Sequence, residues 1–434
     1  MSDAPGPHRP PAEAARIRWL PQGSRVRPGR DPAVPAPRFD PADFAPALRT
    51  RLLILQPTPF CNIDCDYCYL PNRDATARMS LATVRRAAER LKGDGLAGNE
   101  LTIVWHAGEP LAVPRGFYDD AVALLHDVFG AACTLTHSIQ TNATLIDDAW
   151  CELFVRHGMR IGVSVDGPAA LHDAHRRTRS GQGTHARVLR GMARLRAHGI
   201  GFHAIAVVTP ATFAQVDAFC DFFVEQGVTE LGCNFDEAEG VHAGSSVTGH
   251  EAAHAAFITR LVERTLTAGP AARLRIREIA TALQLVAQPL PTQRWQGRAV
   301  PENLQTQPFA LVSVAHNGDF GTFSPELLGQ RSAEFGDFVL GNVERGGYLA
   351  SAATDRFERL WGAVLRGTHA CERGCAHFAY CGGGAPANKF YENGDLASGE
   401  TLYCRTMVKR PFDAVLARLE RGLEHAGAAR ARQA

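Results

Sequence analysis

Short apolar runs alternate with amphipathic stretches from residue 51 onward, and this alternation limits the possible folds more than any other feature of the chain. Six apolar runs are typical of strands, and each is followed by a stretch with helical periodicity. Strand followed by helix, repeated, predicts a parallel sheet with right-handed crossovers. Six units are fewer than the eight of a closed barrel, so we expect an α/β fold built as a partial (β/α)6 barrel, with its site at the carboxyl ends of the strands. The predicted strands are 52–56, 101–106, 134–140, 161–166, 202–208 and 230–234, and the predicted helices are 80–93, 115–129, 146–157, 184–198, 212–226 and 250–267.

Composition divides the 434 residues into three regions. Residues 1–50 hold 11 of the 26 prolines and eight arginines, which predicts a disordered tail in which 16–20 (RIRWL) is a candidate docking segment. Residues 51–270 form the predicted barrel, and 271–434 a linker helix, a hairpin, a small loop-rich domain with four cysteines and a C-terminal helix. Lys+Arg 46 against Asp+Glu 45 gives no reason to expect nucleic acid or an anionic membrane as a partner. We expect neither a membrane span nor a secretory signal.

The 11 cysteines are clustered, with three in residues 61–68 and four in 371–404. Without a sign of export we expect reduced thiols in the cytoplasm, and clustered reduced thiols indicate metal. The four isolated cysteines lie in apolar patterns and are expected to be core residues: Cys133, Cys151, Cys220 and Cys233.

The first group, Cys61, Cys65 and Cys68, has C-x3-C-x2-C spacing on a loop that follows the first strand. Three thiolates at this spacing can hold three irons of a cubane cluster and leave the fourth iron open. Structural zinc is the alternative, but it normally takes four closed ligands, and no fourth Cys or His stands beside this loop.

The second group supplies four thiols, which are a complete ligand set for either structural zinc or a closed four-iron cluster. Spacing alone does not choose between the two metals. The members of this group are Cys371, Cys375, Cys381 and Cys404.

The first cysteine group resembles the hallmark of the radical S-adenosylmethionine (SAM) superfamily. That resemblance implies a SAM-binding 4Fe–4S cluster that generates a 5′-deoxyadenosyl radical, which abstracts a hydrogen atom from the substrate. The segment 106–110 (HAGEP) is similar to the family's G-G-E-P element, with Ala107 in place of the first glycine. Alanine is tolerated there if the position does not need a positive φ.

Residues at later strand ends resemble peptide-modifying members such as the anaerobic sulfatase maturases, and the resemblance implies a role for each in SAM binding. Arg is suited to a carboxylate because it offers planar bidentate donors. The resemblance implies that Tyr67 contacts the adenine of SAM and that Glu109 accepts from its ammonium group, beside the small residues Ala107 and Gly108. It places Gln140, Asn142 and Asp166 on the ribose side. It assigns Ser164 and Arg176 to the SAM carboxylate.

The second cysteine group resembles the SPASM extension that follows the barrel in peptide-modifying members and carries auxiliary iron–sulfur clusters. The usual pattern has seven cysteines and two clusters. Here no cysteine occurs between Cys233 and Cys371, and Ala385 stands where another is usual. The resemblance therefore implies one auxiliary 4Fe–4S cluster, with zinc the less favoured metal. Because its four ligands close it, we expect electron transfer ahead of a purely structural role.

The phrases 56–61 (QPTPFC), 105–111 (WHAGEPL) and 323–327 (FSPEL) resemble the cyclophane-forming maturases paired with glycine-rich-repeat precursors. The resemblance implies a precursor peptide as partner, a flavodoxin or ferredoxin-type reductant, and a bond between an aromatic ring carbon and a side-chain β-carbon. Thioether formation and formylglycine-type oxidation remain alternatives, as does a non-catalytic iron–sulfur or zinc protein.

Two acidic segments are candidates for moving a proton. Glu326 follows the predicted hairpin, in a region where an aspartate serves as the catalytic base in the sulfatase maturases. A glutamate exposed to solvent on a hairpin is the alternative interpretation of Glu326. The acids of residues 234–240, at the end of the sixth strand, could hold substrate or accept a proton, and a solvated turn is again the alternative.

Overall fold

The six predicted strands lie side by side in chain order, each parallel to its neighbour. The structure is a computed structural model and describes residues 38–269 and 274–433, with side chains described as far as residue 425. The α/β prediction with a central parallel sheet is confirmed. The strands are β2 (Thr50–Leu55), β4 (Ala97–Trp105), β5 (Thr134–Thr141), β6 (Arg160–Ser164), β8 (Phe202–Val208) and β9 (Glu230–Phe235).

Amphipathic helices connect these strands. In the first helix the buried residues between Val84 and Leu91 recur at helical spacing, so one face packs on the sheet. Side chains fix where helices begin: Ser80 Oγ accepts from the backbone N–H of Thr83, and Asp147 accepts from that of Trp150. The helices of the barrel are α1 (Leu81–Gly93), α2 (Arg115–Phe129), α3 (Asp148–Arg156), α4 (Ala169–His175), α5 (His185–Ala197), α6 (Pro210–Phe213), α7 (Val216–Glu225) and α8 (Glu251–Thr267).

The sheet continues past the predicted strands on both edges. At one edge β10 (Arg275–Ile276) pairs with β9. At the other, β13 (Leu311–Val314) runs parallel to β2 and forms the predicted hairpin with β14 (Asp319–Thr322), which β15 (Gly341–Asn342) joins. The sheet therefore crosses the predicted domain boundary at 270/271, and the described residues belong to one compact unit.

The C-terminal region is richer in helix than the predicted loop-rich domain. Its last helix packs on α8, where Arg418 Nε donates to Glu263. None of the described helices is long and apolar enough to cross a bilayer. The helices are α9 (Arg277–Ala287), α10 (Tyr348–Ser351), α11 (Asp355–Gly374), α12 (Phe378–Cys381), α13 (Pro386–Asn393) and α14 (Arg410–Gln433), with a π-helical turn at Cys404–Lys409.

The predicted tail is wrong for residues 38–50. A small sheet joins β1 (Phe44–Ala45) to β11 (Thr292–Trp295) and β12 (Arg298–Pro301), and the Phe39 ring lies 5.1 Å from that of Phe357. Burial of these aromatic rings holds the segment in place. Residues 1–37, with the candidate docking segment 16–20, lie outside the described residues.

A two-stranded sheet that the sequence did not predict lies beside the first cysteine group. β3 (Ile63–Cys65) pairs antiparallel with β7 (Arg176–Thr178), and Cys65 is opposite Arg176. This pairing brings a residue from beyond the fourth barrel strand to the loop that follows the first.

Candidate active site

The first cysteine group forms a partly buried set of thiols at the carboxyl ends of the strands. Burial raises the pKa of Cys61 to about 12, and the neighbouring Glu109, Cys65 and Cys68 add to the rise. Burial likewise raises the pKa of Cys65 to about 11, against the opposing charge of Arg176. Three thiols that influence one another in this way fit a metal cluster, which binds them as thiolates and displaces their protons.

Gly108 holds the loop after β4 against the cysteine loop. A Cβ at this position would lie 2.5 Å from the carbonyl oxygens of Thr58 and Phe60. Next to it, the backbone N–H of Glu109 donates to the carbonyl of Phe60 at 2.7 Å. Glycine is therefore required by the close approach of two loops.

The condition stated for Ala107 is not met, because its φ is +75°. The position does adopt the left-handed region that favours glycine, so alanine carries backbone strain here. Alanine in place of the family's glycine at position 107 therefore lowers the stability of the fold.

Glu109 is a buried carboxylate surrounded by neutral donors. It is 1% exposed and accepts hydrogen bonds from Thr141 Oγ1 and from the backbone N–H groups of Leu111 and Asn142. Burial raises the pKa of Glu109 to about 7, although these hydrogen bonds oppose the rise. No ion pair with Glu109 occurs in the described part of the chain, so its charge is available to a cationic ligand.

Tyr67, Asp166 and Arg176 form one buried network. Asp166 accepts from Arg176 Nε at 2.9 Å and Nη2 at 3.0 Å, from Tyr67 Oη at 2.5 Å, and from the backbone N–H of Val207 at 2.9 Å. Burial disfavours its charge, but Arg176 lowers the pKa of Asp166 overall. With these four bonds made, Asp166 orients Tyr67 and Arg176.

The remaining predicted residues also lie at strand ends. Gln140 Nε2 donates to Ser164 Oγ at 2.9 Å, and Asn142 Nδ2 donates to Asn62 Oδ1 in the cysteine loop. The structure therefore gathers the predicted SAM-binding residues around one rim, in three hydrogen-bonded groups.

The second cysteine group has a donor near each of its four sulfurs. Lys389 Nζ lies 3.5 Å from Cys371 Sγ, the N–H of Gly384 donates to Cys381 Sγ at 3.1 Å, and Thr401 Oγ1 donates to Cys404 Sγ at 3.3 Å. Near the fourth, Asp413 and Cys375 raise the pKa of His377 to about 9. Donors of this kind stabilise thiolates, so the set fits a metal–sulfur centre.

Among the described residues, neither cysteine group has its side chains already converged on the position of a single metal ion. The ligand assignments therefore rest on the number, burial and neighbours of the thiols. The four isolated cysteines are buried, as predicted: Cys133, Cys151, Cys220 and Cys233.

A cleft of about 1650 Å3, measured between its walls and including open solvent, brings together the two acidic segments that the sequence left separate. Glu237 and Glu239 follow β9, and Glu326 lies on the turn after β14. Burial raises the pKa of each of these three carboxyls, and repulsion from Glu326 adds to the rise at Glu237 and Glu239. All three residues are half-buried, so neither segment is a fully exposed turn.

The cleft is lined by one cysteine of the second group and lies close to the loop that carries the first group. Cys381 lines it, and at Glu239 it is bordered by the cysteine loop, where the N–H of Val241 donates to the Tyr69 carbonyl at 3.3 Å. Burial, with Glu326 and Glu239 nearby, raises the pKa of Tyr69 well above its usual value. The sequence did not predict that Tyr69, Lys389 and His377 would lie at these sites. Of the three, only Tyr69 could have been singled out from the sequence, because it directly follows Cys68.

Comparison with known proteins identifies the family. The radical SAM superfamily matches residues 55–223. The chain is 35% identical over 391 residues to the uncharacterized protein sll1766 of Synechocystis sp., covering 88% of this chain and 95% of that protein. It is 38% identical over 175 residues to the serine-type anaerobic sulfatase-maturating enzyme of Klebsiella aerogenes, covering 40% of this chain and 43% of that enzyme.

A solved structure shares the fold at low sequence identity. Native anSMEcpe with bound AdoMet and Cp18Cys peptide matches with a TM-score of 0.68 and 19% identity, over 87% of this chain and 99% of that one. The chain belongs to the radical SAM superfamily. It is a radical SAM enzyme, whose chemistry uses S-adenosylmethionine and a 4Fe–4S cluster.

Proposed function

We propose that this enzyme matures a ribosomally made peptide by joining an aromatic ring carbon to a side-chain β-carbon. The observation that carries the proposal is the cleft, which borders the loop after Cys68, is lined by Cys381 and contains three carboxylates. A substrate held there would lie near a radical source, an electron acceptor and a proton acceptor. The sulfatase-maturating relatives and the peptide-bound anSMEcpe support a peptide as substrate.

Cys61, Cys65 and Cys68 would hold the first cluster, which with SAM supplies a 5′-deoxyadenosyl radical for hydrogen abstraction. Glu109 would accept from the SAM ammonium group, because its buried charge has only neutral donors. Arg176, oriented by Asp166, would hold the carboxylate together with Ser164. Electrons for this cluster would come from a flavodoxin or ferredoxin-type protein.

The carboxylates of the cleft would take the proton released when the ring regains aromaticity. Burial raises the pKa of Glu326 to about 7, which suits a group that gains and loses a proton near neutral pH. Glu239 lies close to Glu326, and the repulsion between their negative charges raises the pKa of Glu239, so the two carboxyls do not ionise together easily. Glu326 is therefore our candidate acid–base residue.

Cys371, Cys375, Cys381 and Cys404 would hold the auxiliary cluster, which would accept the electron lost in the same step. Four thiols close the site, so the substrate would not bind that metal directly. Zinc could occupy four thiols but could not accept an electron.

Co-expression with a candidate precursor, followed by mass spectrometry, tests the function. A crosslink removes two hydrogens and leaves every cysteine open to alkylation. A product with a consumed cysteine would indicate a thioether or a cysteine-derived formylglycine instead. A product that has lost two hydrogens but reacts with a hydrazide, and whose backbone fragments normally between all residues, would indicate a serine-derived formylglycine. A protein that forms no 5′-deoxyadenosine with SAM and dithionite, and whose Cys65→Ala variant behaves identically, would not be this enzyme.

A further inference from the structure

Lys389 is a buried lysine at the second cysteine group. It lies on α13, is 2% exposed, and its Nζ is 3.5 Å from Cys371 Sγ. In the described part of the chain no carboxylate forms an ion pair with it, whereas Lys409 pairs with Glu400 at 2.7 Å. A buried ammonium group needs a negative partner, and the available partner here is the thiolate set.

The surrounding backbone is shaped to hold this ammonium group. A Cβ at Gly367, on α11, would lie 3.0 Å from Lys389 Nζ and 2.2 Å from the carbonyl oxygen of Leu396. A larger residue than Gly367 would therefore collide with its neighbours, and the end of the Lys389 side chain occupies the space that glycine leaves open. The contact is thus built by three segments of the chain.

The other three sulfurs are contacted differently. Cys381 and Cys404 receive a backbone N–H and a hydroxyl, which are neutral donors. His377, near Cys375, is itself paired with Asp413 at 2.8 Å. Lys389 is therefore the donor at this group, within the described residues, whose positive charge is both buried and uncompensated by a carboxylate.

We infer that Lys389 neutralises one negative charge of the auxiliary cluster and raises its reduction potential. The inference rests on the proposed assignment of an iron–sulfur cluster to these thiols. A reduced cluster carries one more negative charge than an oxidised one, so a nearby cation stabilises the reduced form more. In the proposed reaction the cluster gains the electron that the substrate radical loses, while the proton goes to a cleft carboxylate.

The test is a redox titration of the full chain in which Cys61, Cys65 and Cys68 are replaced by alanine, so that only the auxiliary cluster contributes to the EPR signal. In that background Lys389→Met should lower the midpoint potential by at least about 59 mV, a tenfold change for one electron. Lys389→Arg should stay closer to the parent than Lys389→Met does. Lys92→Met is the control, because Lys92 lies on α1 in the barrel, where its Nζ donates to the carbonyl of Val128, and it should shift the potential by much less.

An unchanged potential in Lys389→Met with full iron content would overturn the inference, as would an equal shift in Lys92→Met. Should Lys389→Met fail to assemble the cluster, Lys389→Gln carries the same expectation, because it keeps a donor but not the charge. A parent that binds zinc, or no metal, would overturn the cluster assignment itself. Iron analysis and the EPR signal of the parent separate that failure from a failure of the lysine inference.

Discussion

Replacing Asp166 by asparagine should destabilise the protein by about 3 kcal/mol. Asp166 and Arg176 are 2% and 7% exposed, and the carboxylate accepts four hydrogen bonds, two of them from the guanidinium. Removing one partner of a buried ion pair costs about 3–5 kcal/mol, since the other charge is left uncompensated. Asparagine keeps an oxygen that can accept some of these bonds, so we take the lower end of that range.

The assay is urea denaturation of the cluster-free protein, followed by tryptophan fluorescence. Glu372→Gln is the control, because it removes an exposed ion pair with Arg298 and should cost at most about 1 kcal/mol. The double variant Asp166→Asn/Arg176→Gln should be less destabilised than the sum of the single variants by at least about 1 kcal/mol. Additive single effects, or a cost for Asp166→Asn no larger than that of the control, would refute the reasoning.

The same variant has a defined pH dependence. Arg176 lowers the pKa of Asp166 in the folded protein, against the effect of burial. The carboxylate therefore stabilises the fold above the ordinary aspartate pKa of about 3.9, and this stabilisation is lost as the pH falls through the folded value. The difference between wild type and Asp166→Asn should be constant near neutral pH and narrow in acid.

Two further substitutions follow from the site. Ala107→Gly should raise the free energy of unfolding by about 0.5–1 kcal/mol. The left-handed backbone costs alanine about 1–2 kcal/mol, and the greater freedom of glycine in the unfolded chain offsets part of the gain. In the same denaturation assay the control Ala88→Gly, inside α1, should instead lower the free energy of unfolding by about 1 kcal/mol. Burial raises the pKa of Glu326 to about 7, so its contribution to stability is complete below the unfolded value of about 4.3 and is lost as the pH rises through 7. Glu326→Gln cannot ionise and should gain in urea midpoint over wild type between pH 5 and pH 8, whereas the exposed Glu344→Gln should not. With SAM and precursor, Glu326→Gln should still form 5′-deoxyadenosine but lose about 100-fold in crosslinked product, and unchanged crosslinking would remove it as the acid–base residue.

Local sequence pattern was sufficient for the barrel. Strand 202–208 and helix 115–129 have the predicted bounds, since both depend on apolar periodicity that is visible in a short window. The cysteine spacing likewise identified the superfamily, because three ligands of one cluster come from a single loop. The tail failed as a prediction at residues 38–50, where the aromatic partners of Phe39 are some 270 to 320 residues away in the chain.

The sequence by itself determined which residue types are present: three thiols for one centre, four for another, and two acidic segments of unassigned purpose. Only the tertiary structure decided how they meet. Pairing of β3 with β7 placed Arg176 beside Cys65, and addition of β13 and β14 to the edge of the sheet carried Glu326 to Glu239. These contacts join residues far apart in the chain, and their chemistry depends on burial that no local pattern records. For the same reason Lys389 reads as an ordinary helical lysine in the sequence and becomes a buried cation at a thiol only in the fold.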